Sequence, residues 1–82
     1  MRLQQARTSA MCVIETHGYT VLWSYDDPVA LKRPDGKVLI TGANTSITTA
    51  KHMDRFLEGL HGDFKGIVMV LQTQIDAIVE AL

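Results

Sequence analysis

Tyr19-Thr20-Val21-Leu22-Trp23-Ser24-Tyr25 decides the fold class. Aromatic and β-branched residues dominate it, and Tyr19, Val21, Trp23 and Tyr25 recur at period two, the spacing that puts alternate side chains on one face of a strand. Thr20, Leu22 and Ser24 take the other face. Upstream, Met11-Cys12-Val13-Ile14 is continuously apolar and Thr16-His17-Gly18 offers a turn, so a first strand precedes this one. Downstream, Asp26-Asp27-Pro28 interrupts with turn-forming residues before Val29-Ala30-Leu31-Lys32 resumes the extended pattern. Arg33-Pro34-Asp35-Gly36 reads as a hairpin turn, because proline presets φ at the second position and glycine accepts a positive φ at the fourth. Lys37-Val38-Leu39-Ile40-Thr41 is the returning strand.

The second half changes period. Ser46 is placed to cap a helix running to about Leu60, with Gly59 and Gly62 as stop signals. Ile47, Ala50, Met53, Leu57 and Leu60 repeat at three and four and form its apolar stripe, with Phe56 at the edge. Thr48, Lys51, His52, Arg55 and Glu58 make the solvated side. From Ile67 to Leu82 a second stripe of Val68, Leu71, Ile75, Ile78 and Leu82 predicts a second amphipathic helix, although Gly66 to Leu71 alone also reads as a β-branched strand. The expected fold class is α+β: a three- to four-stranded antiparallel meander packed by two C-terminal helices. Residues 1–82 form a single domain, with 1–9 a frayed or helical leader.

Composition narrows the function classes. Eighty-two residues at 46% hydrophobic content build one small core, too short for a doubly wound sheet or a barrel enzyme. The net charge of −1 leaves no excess of cations for coating a phosphate backbone. A single cysteine, Cys12, excludes an internal disulfide, a CxxC pair and a cysteine-based zinc cluster, and its apolar neighbours suit a small core residue in a reducing cytoplasm. The longest apolar run, Ile67 to Leu71, is far shorter than the roughly 20 residues that span a bilayer, and Met1-Arg2-Leu3-Gln4-Gln5 has no signal-peptide core. A cytoplasmic protein with no membrane contact is expected.

No catalytic constellation emerges. His17 and His61 sit beside glycines in turns, His52 lies mid-helix, and none stands in a nucleophile–base–acid motif or a metal-ligand spacing. Asp26 and Asp27 are adjacent, and neighbours in a strand alternate faces, so they suit a turn better than a general acid/base pair. The glycines form neither GxGxxG nor a phosphate loop. No enzyme, no metal and no cofactor is expected. What remains is surface charge. Lys32, Arg33 and Lys37 bracket the hairpin, and Lys51 and Arg55 lie one turn apart on the first helix; if the two are neighbours, they gather with His52 into a basic patch. Asp26 and Asp27, with Glu15, are its acidic counterpart at the other strand ends. These eight positions, Asp26, Asp27, Lys32, Arg33, Lys37, Lys51, His52 and Arg55, are the interaction candidates.

Gly18-Tyr19-Thr20-Val21-Leu22-Trp23-Ser24-Tyr25-Asp26-Asp27-Pro28-Val29-Ala30, then Asp35-Gly36-Lys37-Val38, then Ser46-Ile47-Thr48-Thr49-Ala50-Lys51-His52-Met53-Asp54-Arg55-Phe56-Leu57, resembles a family of small phage and prophage proteins. Its pattern is V-L-[WY]-S-Y-x-x-P-V-A, D-G-K-V and S-x-T-T-x-[KR]-H-x-x-x-[FW]-L. The likeness covers about half of the chain, from Gly18 to Leu57. Relatives carry an aromatic or basic residue just before the Ser46 position, where this chain has Ala43-Asn44-Thr45. The resemblance carries over no catalytic residue and leaves Ser24, Tyr25, Thr48, Thr49 and His52 as motif positions without a role. It implies an accessory protein that inhibits a host defence system by binding it, as anti-CRISPR proteins do. The implied partner is a host protein or ribonucleoprotein, with a CRISPR effector the expected case. The alternatives are a nucleic-acid-binding accessory module and a structural protein whose C-terminal helix stripe pairs with itself; the chain is expected as a monomer or homodimer.

Overall fold

The computed structural model describes residues 11–43 and 46–82; the leader expected over 1–9 lies outside them, as do Asn44 and Thr45. Four strands run antiparallel in chain order: β1 (Met11–Thr16), β2 (Tyr19–Ser24), β3 (Asp27–Lys32) and β4 (Lys37–Thr41). This is the expected meander. Helix α1 (Ile47–Gly59) follows, then a fifth strand, β5 (Gly66–Val70), and helix α2 (Gln72–Glu80). The sheet order is β1-β2-β3-β4-β5, and β5 pairs with β4 in parallel. The fold is therefore α+β with a mixed, mostly antiparallel sheet of five strands and two helices.

Tight turns follow from local chemistry. His17 and Gly18 both take positive φ in the two-residue link between β1 and β2, the geometry whose twist matches that of a hairpin. At the β3–β4 link the Gly36 N–H donates to Arg33 O at 2.9 Å and the Arg33 N–H to Lys37 O at 2.8 Å, with Gly36 at φ +94°. That is a type I turn closed by a glycine bulge. Pro28 sits in β3 opposite Trp23, beside the register shift in β2, where a missing N–H is tolerated.

Register sorts the side chains between two faces. Leu22, Ala30 and Val38 point to one face and join Met11, Val29 and Phe56 of α1 in one buried cluster. Val21, Leu31 and Leu39 point to the other and pack on Ile75 of α2, with Tyr19, Trp23 and Val70 at the margin. The aromatic row of β2 is thus largely used as core under α2. Tyr25 leaves it, because it occupies the β2–β3 turn at φ +57° and is exposed.

One sequence expectation is corrected here. Ile67–Leu82 is not one helix. Gly66 enters at φ +143°, the β-branched run that follows is extended along the free edge of β4, and the helix begins only at Gln72. The ends of that pairing are tied by Lys65 N–H to Gly36 O and by Gly42 N–H to Val70 O, both 2.8 Å. Backbone pairing along this five-residue strand outweighs a stripe that helical propensity alone would have to support. With β5 between them, α1 and α2 cover opposite faces of the sheet. Helix α2 is fastened at its start by Gln72, whose Nε2 donates to Pro28 O and to Asp76 Oδ1.

Ile75 is the residue of α2 that is fully buried. Its truncation to alanine is expected to cost about 2 to 5 kcal/mol, a large part of the roughly 4 to 12 kcal/mol that a domain of this length holds. Ile47→Ala, at a side chain 78% exposed, should change stability by less than about 0.5 kcal/mol. Urea unfolding of both variants checks the pair; equal losses would mean that α2 is not packed as described.

Candidate functional site

The motif positions without a role converge. Ser24 ends β2 on the face covered by α1, and Thr49 and His52 stand one turn apart on α1 above it. Ser24 Oγ lies 2.9 Å from Thr49 Oγ1 and 2.9 Å from His52 Nδ1, hydrogen-bonded to both. All three are buried, at 3%, 7% and 6% exposure. Ser46, the N-cap of α1, accepts the Thr49 N–H at 3.1 Å and donates its hydroxyl hydrogen to Thr49 Oγ1 at 3.1 Å. The exposed Tyr25 ring lies beside the imidazole, centroids 6.2 Å apart. Thr48 points to solvent.

One orientation satisfies all of them: Ser46 donates to Thr49, Thr49 to Ser24 and Ser24 to His52 Nδ1, which leaves the imidazole proton on Nε2. Every member of the chain is satisfied, and among the described residues no buried side-chain nitrogen or oxygen lacks a partner. The arrangement pins α1 to β2 at one defined rotation, since any other would leave buried hydroxyls unpaired. His52 is therefore not on the solvated side of α1, as its polarity suggested. Thr49, His52 and Phe56 are the buried residues of the helix, a stripe at three and four that includes two polar members.

The remaining interaction candidates do not form one patch. Asp26 and Asp27 are exposed at the β2–β3 turn, and Asp27 shares a recess of about 310 Å³ with Ser24, Tyr25 and Thr49. Arg33 pairs with Asp35 inside the opposite turn at 3.0 Å, Lys37 is exposed at the start of β4, and Lys51 is exposed on α1. Only Lys32 and Arg55 come together. They line a recess of about 600 Å³ between the C-terminal end of α1 and the sheet. Met11, Val13, Phe56 and Leu60 give it an apolar floor, and Glu15, His61 and Asp63 join the two cations at its rim. Glu15 thus belongs with Lys32, not with Asp26 and Asp27. Lys32 Nζ contacts Asp63 Oδ2 at 3.1 Å, an exposed pair worth little in stability.

Cys12 is free and half-buried in β1. Among the described residues no group of three or more His, Cys, Asp or Glu could hold a metal ion, and no helix is long and apolar enough to cross a membrane. Sequence reading missed the Ser24–Thr49–His52 contact because it scored α1 by hydrophobicity; the available signal was Thr-x-x-His-x-x-x-Phe at helical spacing.

Residues 1–74 match the model of a family of unknown function, DUF8033, and the chain belongs to that family. No significant match was found among curated proteins or among solved structures.

Ser24→Ala orphans groups on both Thr49 and His52 and is expected to cost about 1 to 3 kcal/mol, whereas Thr48→Ala should be nearly neutral; thermal melts compare them. Imidazole ¹⁵N spectra should show uncharged His52 protonated at Nε2. A proton on Nδ1 would reverse the assigned chain of donors.

Proposed function

We propose that this DUF8033 member acts by binding a host protein or ribonucleoprotein and inhibits it by occupancy, with no chemistry of its own. The observation that supports this reading is the recess between α1 and the sheet. An apolar floor of Met11, Val13, Phe56 and Leu60 inside a rim of both charge signs suits a protein segment, whose side chains bring apolar area and mixed polar groups together. A phosphate backbone asks for a run of free cations, while here Lys32 meets Asp63, Arg33 meets Asp35 and the chain carries a net −1. Direct nucleic-acid binding is accordingly the weaker alternative. The class of target, a host defence system with a CRISPR effector as the expected case, rests on the resemblance to phage and prophage proteins, and it places the encounter in the host cytoplasm.

Capture from host lysate with the tagged full chain tests the surface. The wild type should retain a defined protein partner, and Arg55→Glu, at the rim, should reduce capture at least about tenfold. Lys51→Glu, one turn away and outside the recess, should leave it unchanged. Equal behaviour of the two variants, or release of the partner by nuclease alone, would sink the assignment of this recess.

A further inference from the structure

Exposed large apolar side chains are concentrated at one edge of the sheet. Ile67, Val68, Met69 and Leu71 are all exposed, Met69 and Leu71 at 68% and 69%. Strand β5 is the last in the order and is paired on one side only, with β4. The main helix contacts lie elsewhere, α1 on β2 and α2 on β3 and β4, and of β5 it is Val70 that joins the cluster under α2. Gly66-Ile67-Val68-Met69-Val70-Leu71 contains no charge and no proline, and its register with β4 runs without a bulge. Those are the devices by which proteins keep a free edge from pairing, so this edge is built to be covered.

We propose that β5 pairs antiparallel with β5 of a second copy of this chain, about a two-fold axis at Val68, joining two sheets into one of ten strands. This goes beyond the binding reading and uses a different surface. The strand is complementary to itself in that register. Val68 meets its own counterpart, Ile67 meets Met69 and Gly66 meets Val70. A two-fold axis perpendicular to the sheet keeps the face covered by α1 on one side throughout, so apolar residues meet apolar residues on both faces. With no charge in the strand and a net −1 per chain, little opposes the approach. The other free edge, β1, carries Glu15 and mostly half-buried side chains, which favours a closed β5–β5 pair over an open β1–β5 array. A five-residue strand buries less than the roughly 800 Å² per partner of a stable complex, so the dimer is weak and depends on concentration.

Sedimentation of the full chain from about 10 μM to about 1 mM, a range that brackets a weak interface, should pass from monomer to dimer and stop there. Val68→Arg places like charges opposite each other and should raise the dimer Kd at least about tenfold. Register is read by cross-linking in a Cys12→Ala background. Val68→Cys should form an intermolecular disulfide, because directly opposed Cα atoms lie about 4.5 to 5.5 Å apart. Leu71→Cys, at a more exposed position, should not, because its counterpart lies about 20 Å away along the strands. A monomer at every concentration, open-ended growth, a dimer indifferent to Val68→Arg, or equal cross-linking at both positions would each overturn the proposal. Should Val68→Arg fail to fold, the cysteine pair still decides.

Discussion

Everything in this molecule depends on a sheet that is apolar on both faces. Alternation along β2, β3 and β4 sends Leu22, Ala30 and Val38 one way and Val21, Leu31 and Leu39 the other, so neither face tolerates water. Two short helices must serve two faces. The parallel connection from β4 to β5 carries α1 across one of them, and the chain leaving β5 folds back as α2 over the other. The crossover is thus a packing necessity, and β5 is the strand that makes it available.

Helices of 13 and 9 residues do not cover five strands completely. What they leave uncovered forms the two surfaces of interest. On the α1 face, the region beyond the end of that helix is the recess rimmed by Lys32 and Arg55. At the far edge, β5 keeps its apolar side chains and half its backbone pairing free. The recess is lined by residues of β1, β2, β3, α1 and the turn after it and by none of β5, so one chain can hold a partner at one surface and a second copy at the other.

Between them, Ser24, Thr49 and His52 set the angle of α1. Hydrophobic contacts of Phe56 alone would permit small rotations, because apolar packing is not directional. Buried hydroxyls are directional, and the hydrogen bonds from Ser46 through Thr49 and Ser24 to His52 fix where α1 sits on β2. The placement of Arg55 at the rim, three residues on from His52, is a consequence of that rotation.

By itself the sequence determined the local elements: period-two runs and turn residues named β1 to β4, and Ser46 with Gly59 bounded α1, because these signals act over a few neighbouring residues. It left three matters open that only the tertiary structure decided. Gly66 to Leu71 became a strand because β4 had an unpaired edge within reach, a long-range fact that helical spacing in 67–82 cannot express. The helices took opposite faces because β5 intervened between them. His52 went inside because Ser24, 28 positions away in the chain, was there to receive it. Burial of a polar side chain depends on whether its partner is present in space, and hydropathy read along a chain carries no information about that.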